Sequence, residues 1–278
     1  MPLLTSTTDV AGILPNDHGA LVVQPALDAS VFAQIATTVT TSSTEYHIPI
    51  VSADPTAAWV AEGDEITPSD PTLQELTVKP SKVAGLTIVS RELADDSDPA
   101  ASEVVGQGLA RDIARRIDQA AFAGLAAPAP AGLTTLSGIQ SYTNASAFAN
   151  LDFAAEAISK AETVGARITA FVAGPATALA LAKVKTQTGS NQPVLGSDAT
   201  TATGRMILGV PLFVSQFVAA NTLWAIDGSR VWLVVRDDAT VEADRSVFFT
   251  SDRVAVKATM RAGFGFVHPQ SVVKVGIA

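Results

Sequence analysis

The chain has 278 residues, 47% hydrophobic and only 16% charged, with a net charge of −9. That length carries one large domain or two small ones with a sizeable core, and so little charge, against about 25% in ordinary soluble domains, favours burial in an oligomer. The acidic balance argues against a nucleic-acid-binding surface, and the absence of cysteine excludes disulfides, thiolate metal sites and cysteine nucleophiles. No apolar run reaches the roughly 18 residues of a bilayer span, so no membrane partner is expected. Met1-Pro2-Leu3-Leu4 lacks a basic n-region and no signal-peptide pattern follows. The expected location is therefore the cytoplasm until assembly.

In chain order, residues 1–51 read as an N-terminal arm. Thr5 to Thr8, Gly12, Pro15-Asn16-Asp17 and Gly19 punctuate its first part. A short helix is expected within Pro25 to Ala36, on Val31, Phe32 and Ile35, then a strand from Val39 to Val51 with Tyr46, Ile48 and Ile50 alternating. Residues 52–82 read as an extended hairpin. Its predicted strands are Ala57 to Gly63 and Leu73 to Pro80, around a tip from Gly63 to Pro71 rich in turn formers. Little in it can anchor to a core of its own, and a two-stranded ribbon is marginal in water. An arm that lies on something else is implied, such as a neighbouring copy.

Val83 to Val89 reads as a strand, and Ser90 caps a turn over Arg91 to Ala94. Asp98-Pro99 is a strong helix start. The helix should run to about Leu125, on the order of 40 Å. Val105, Leu109, Ile113, Ile117, Ala121 and Leu125 form its apolar stripe. Arg111, Arg115 and Arg116, interleaved with Asp112 and Asp118, read as a mixed-charge solvated face. Residues 133–150 read as a loop or short irregular strand.

From Asp152, expected as a helix cap, the pattern becomes a compact α/β unit over residues 151–240. It includes a buried strand from Arg167 to Ala173, a helix starting at Gly174-Pro175, and short strands on either side of Asp227-Gly228-Ser229. Residues 186–204 form a long polar loop. Residues 241–278 read as long β runs returning beside the long helix, with Gly263 and Gly265 marking a kink or close approach.

No chemistry stands out. His18, His47 and His268 hold no metal spacing, and His268 beside Pro269 reads as structural. No nucleophile elbow or phosphate loop is present, and Gly263-Phe264-Gly265 lies in a strand rather than at a strand-to-helix turn. Asp95, Asp96 and Asp98, and the pair Asp237-Asp238, could form a cation or acid/base site; helix capping for the first set and a solvated turn for the second is the better reading. Trp59, Trp224 and Trp232 could stack on a ligand, but core or interface packing explains them more simply. No catalytic, cofactor or metal residue is assigned.

The order of pieces resembles the HK97-like major capsid proteins of tailed bacteriophages. The pieces are an N-terminal arm, a hairpin with Ala58-Trp59-Val60-Ala61-Glu62-Gly63 and Ser69-Asp70, then Lys79-Pro80 and Ser90-Arg91-Glu92-Leu93. A long helix, an α/β unit with Gly209-Val210-Pro211-Leu212, Arg261-x-Gly263 and His268-Pro269 follow. The resemblance covers nearly the whole chain and implies an α+β fold and a structural, non-enzymatic protein. It implies a hairpin (52–82) lying over the next subunit, a peripheral domain from 83–150 and 241–278 with a spine helix, and an axial domain at 151–240. The implied partners are copies of itself in pentamers and hexamers, a portal, separate scaffold or decoration proteins, and enclosed double-stranded DNA bound without sequence specificity. The implied location is the virion, with assembly in the host cytoplasm. Candidate inter-subunit contacts are Trp59, Glu62, Asp64, Glu65, Asp70, Leu73 and Leu76. With the hairpin about fifty residues from Met1, no N-terminal scaffolding segment is expected. Where some relatives form an isopeptide crosslink, the matching positions hold Ile66, Asp252 and Thr259, which cannot do that chemistry, so a non-covalent shell is expected. An encapsulin-type compartment is the alternative and an α/β-hydrolase-like enzyme a more distant one.

Overall fold

The computed structural model describes residues 30–90, 92, 101–144, 148, 150–187, 190–195 and 205–277. The arm before residue 30, the Asp98-Pro99 helix start, the cluster Asp95 to Asp98 and most of the polar loop 186–204 lie outside the described residues. Helix α1 (Val31–Ile35) leads into β1 (Thr37–Thr41), β2 (Tyr46–Ala53), β3 (Thr72–Val78), β4 (Ser81–Ser90) and helix α2 (Ala101–Phe122). Next come β5 (Gln140–Asn144), α3 (Asp152–Thr163), β6 (Ala170–Ala173), α4 (Pro175–Ala182), β7 (Met206–Ile207), β8 (Val210–Val214) and β9 (Thr222–Ile226). The long strands β10 (Val231–Phe248) and β11 (Arg253–Phe266) and the short β12 (Val273–Ile277) close the chain.

Two sheets carry the body. One has the order β1-β10-β11-β4; the other has the order β5-β12-β9-β6-β8-β7. Strands β2 and β3 pair only with each other. The first sheet lies on α2. Ile113, Ile117 and Ala121 of the predicted stripe, joined by Ala110 and Ala114, bury against Phe32, Leu233 and Met260. Strand β4 alternates between half-buried and exposed positions, as a strand with one wet face must. Its inner face meets the helix so closely that a Cβ at Gly85 would stand 2.8 Å from Leu109 Cδ2. In the second sheet, Ala170-Phe171-Val172-Ala173 is buried at every position because β8 and β9 flank it and the body covers both faces. Helix α4 starts as predicted, with Gly174 at the N-cap and Pro175 at the first helical position.

In the body of the fold, apart from the hairpin, the structure departs from the sequence reading at several points. Asp118 is not on a solvated face. It is 6% exposed and accepts hydrogen bonds from Ser30 Oγ (2.7 Å), Val31 N–H (3.0 Å) and Phe32 N–H (2.9 Å). A carboxylate on α2 thus satisfies the orphan amides at the start of α1, alongside that helix's own cap Ser30. Burial pushes the Asp118 carboxyl up, and the bonds from Phe32, Ser30 and Val31 oppose the push. Asp152 is the first residue of α3 rather than its cap, and its N–H donates to Asn150 Oδ1 at 3.3 Å.

Two further departures concern which sheet a segment joins. Asp237-Asp238 is not a turn. The backbone continues through it as a bulge between Arg236 and Thr240, and β10, already paired with β1 and β11 from residues 231–236, keeps its place in the first sheet beyond it. The last strand does not lie beside α2 either. β12 pairs in parallel with β5 and antiparallel with β9, inside the second sheet.

Candidate assembly surface

The ribbon β2–β3 pairs Tyr46 with Val78, Ile48 with Leu76 and Val51 with Leu73. The partner of Leu73 to Val78 is therefore Tyr46–Ala53, not Ala57 to Gly63 as the sequence suggested. Tyr46, Ile48, Ile50 and Val51 are strong strand formers, whereas Ala57, Ala58 and Ala61 are weak ones. Residues 54–71 form a long loop. Thr56 N–H donates to Ser69 Oγ (2.9 Å), Ser69 Oγ donates to Thr56 carbonyl (3.1 Å), and Gly63 turns the chain at φ 94°.

The root of this hairpin is anchored, where the sequence suggested little that could hold it to a core. Ile48 and Val78 bury with Val234, and Tyr46, Leu76, Trp232 and Val267 surround them. The Tyr46 and Trp232 rings lie 6.2 Å apart. Gly263 and Gly265 of β11 make the seat. A Cβ at Gly263 would stand 2.8 Å from Val78 Cγ1 and 3.2 Å from Pro80 Cα, and one at Gly265 would stand 3.0 Å from Ile48 Cδ1. The close approach read from these glycines is this contact. Glu45 and Lys79 pair at 2.8 Å beside the root, and Lys79 holds the Glu45 carboxyl below its ordinary value. His47 meets Glu75 across the ribbon.

Beyond the root the hairpin has no cover from the described body. Trp59 is fully exposed, and Val51, Ile66 and Leu73 project into solvent. Between Tyr46 and Val78 stand Asp54, Glu62, Asp64, Glu65, Asp70 and Glu75 with no Lys or Arg, so 33 residues hold −6 of the chain's −9. Of the candidate contacts, Trp59, Glu62, Asp64, Glu65, Asp70 and Leu73 are all exposed on this arm, and Leu76 is half-buried at its root. Val51, Trp59, Val60, Ile66 and Leu73 thus put several large apolar side chains into water on one projecting element.

The remaining candidates are scattered. Trp224 is buried in the core, Trp232 packs at the hairpin root and Trp59 lies on the arm, so the tryptophans form no common site. Ile66 is exposed, Asp252 turns the chain between β10 and β11 at φ 49°, and Thr259 hydrogen bonds Thr240 at 2.9 Å. Among the described residues no group of three or more His, Asp or Glu could hold a metal ion, and no helix is long and apolar enough to cross a membrane.

The sequence reading missed one buried network. Asp227, 4% exposed, receives Ser229 Oγ (2.6 Å) and the N–H of Arg167 (3.2 Å), and lies 3.4 Å from Arg230 Nε. Arg230 also donates to His268 Nδ1 (3.0 Å) and to the Gly165 carbonyl (2.6 Å). Asp227-Gly228-Ser229 was legible as a turn. The partners of Arg230 beside it, 38 and 65 residues away, carried no local signal.

The two sheets, the α2 spine and the projecting hairpin are an HK97-like capsid arrangement. The chain belongs to the phage capsid family: the family model matches residues 11–277. The capsid of an empty GTA particle superposes with a TM-score of 0.74 at 18% identity, over 90% of each chain. A chain from Microbacterium phage Oxtober96 gives 0.72 at 19% identity, over 90% of this chain and 91% of that one. One from Mycobacterium phage Adephagia gives 0.70 at 19% identity, over 90% of each. No curated protein matches the chain. The family is one of structural shell proteins, and the expected α+β fold agrees with these structures.

Proposed function

We propose that this chain is the major shell protein of a tailed phage, closing as pentamers and hexamers into an icosahedral particle around double-stranded DNA. The observation that carries the reading is the hairpin beyond its root. It is long, acidic and uncovered, with Trp59, Ile66 and Leu73 in water, and it belongs to a chain whose family builds capsids. The arm lies on a neighbouring subunit through Trp59 and Leu73, while Glu62, Asp64, Glu65 and Asp70 meet basic groups there; Leu76 keeps its root in register. The first sheet with α2 forms the peripheral part and the second sheet with α3 and α4 the axial part, which meets its copies around the symmetry axes.

The shell is held without covalent crosslinks, since Ile66, Asp252 and Thr259 supply neither amine nor amide. Its net charge of −9 suits a wall that encloses DNA without adhering to it. Assembly in the host cytoplasm, with a portal and separate scaffold or decoration proteins, completes the reading. Negative-stain electron microscopy of the expressed protein, with a nucleic-acid assay, tests it. Closed shells are the expected result. A 28.6 kDa monomer under every condition would overturn the reading. Closed shells filled with protein cargo and free of nucleic acid would favour an encapsulin-type compartment.

A further inference from the structure

The backbone passes directly from one sheet to the other at two neighbouring places. Ile226 of β9 leads through the turn Gly228–Arg230 into β10, and Phe266 of β11 leads through the turn Pro269–Ser271 into β12. Both passages are fastened by one side chain, Arg230. Its Nε faces Asp227 in the first passage, its guanidinium donates to His268 Nδ1 in the second, and it also reaches the Gly165 carbonyl after α3. The Arg230 carbonyl accepts the Val267 N–H at 3.1 Å, so main chain and side chain tie the same two segments. Packing leaves the first passage no slack: a Cβ at Gly228 would stand 2.2 Å from the Ile35 carbonyl oxygen.

The chemistry of this contact dictates a protonation state. A guanidinium only donates, so Nδ1 must accept, and His268 is neutral with its proton on Nε2. A second proton can enter only at Nδ1, where it removes the acceptor and sets a cation against a cation. The charged groups acting on the ring are Arg230 and Asp227. The segment after α3 faces the network with main-chain groups, the Gly165 carbonyl and the Arg167 N–H.

We propose that Arg230 and His268 form an acid-released catch between the two sheets, closed when the imidazole is neutral and opened when it is protonated. On opening, the β11–β12 passage loses its side-chain tie while Arg230 stays on Asp227 and Gly165. The bond from Val267 N–H to the Arg230 carbonyl is then the tie that remains between the two passages, and the turn over 266–272 opens more readily. Burial, with Arg230 adding to it and Asp227 opposing, holds the His268 pKa below its ordinary value. The unfolded chain therefore takes up the proton first as pH falls. The catch's contribution is present above the ordinary histidine pKa and is lost as pH drops from there through the lower folded value.

The inference concerns the body of a single subunit and does not depend on the shell reading. Hydrogen exchange of the full chain at pH 7.5 and pH 5.0, corrected for intrinsic rates, tests it with wild type and His268→Gln. Glutamine keeps an acceptor and cannot titrate. In wild type, protection over 266–272 should fall roughly fivefold to tenfold at the lower pH while 226–232 and β6 are unchanged. In H268Q both passages should stay protected. A fall that persists in H268Q, or no fall in wild type, overturns the catch. Imidazole nitrogen shifts of wild type at pH 7.5 give a check that needs no variant: an Nδ1–H tautomer at His268 would also overturn it.

Discussion

The strand Ala170–Ala173 is buried at all four positions, whereas Thr72–Val78 is buried only at Val78. Both are short and regularly hydrogen bonded, but AFVA is wholly apolar whereas TLQELTV carries Gln74 and Glu75, which need water or a partner. The rest of the difference lies in neighbours. β6 has a strand on each side and core on both faces; the ribbon has one partner and, beyond its root, none of the described body beneath it. Hydrophobic stabilisation scales with apolar area removed from water, so the first region carries the stability of the single subunit. The second remains unspent until another surface meets it. Perturbing each region should therefore give opposite signatures, one in folding and one in assembly.

The largest expected effect is on the buried side. Phe171→Ala removes a fully buried ring from the second sheet and should lower stability by about 4 kcal/mol, measured by chemical denaturation of the unassembled chain. Next comes Asp118→Ala, which leaves the amides of Val31 and Phe32 without their acceptor. It should lower stability by about 3 kcal/mol, and Asp118→Asn, which keeps one acceptor, should lower it less. Equal losses in the two variants would show that the capping bonds contribute little.

At the boundary between the regions, Gly263→Val forces a side chain into Val78 and Pro80. It should unseat the hairpin root at roughly 1 to 3 kcal/mol, with increased proteolysis between residues 46 and 80 as the readout. The smallest effect on the subunit belongs to the arm. Reversing Glu62, Asp64 and Glu65 to lysine should change the stability of the unassembled chain by less than about 0.5 kcal/mol, because all three are solvated. It should nevertheless shift the salt dependence of assembly or block it, as light scattering would report. Unchanged assembly would remove the charge-pairing part of the proposed contact.

Much of the fold was legible because its signals are local. The α2 stripe, the Gly174-Pro175 start and the run Arg167 to Ala173 each follow from periodicity or backbone chemistry within a few residues. The hairpin was legible as a hairpin, but its outgoing strand was not: which run pairs with Leu73 to Val78 depends on register, and the pattern around Tyr46 had been assigned to a separate strand. Six of the candidate contacts lie exposed on the arm, as residues of a turn-rich, acidic stretch do. The anchoring of that arm was hidden, because Val234, Trp232 and Gly263 lie far along the chain from Ile48 and Val78.

By itself the sequence determined the class of protein, the existence of the spine helix, the acidity of the arm and the absence of cysteine chemistry. These are properties of composition, spacing and ordered motifs. Only the tertiary structure decided that Asp118 is a buried cap, that β10 lies in the first sheet on both sides of the Asp237-Asp238 bulge, that β12 returns to the second, and that Arg230 joins the two passages. Each is a pairing between residues distant in sequence. A carboxylate or an arginine looks the same in a sequence whether water or a partner satisfies it, and burial against that partner is what separates the two.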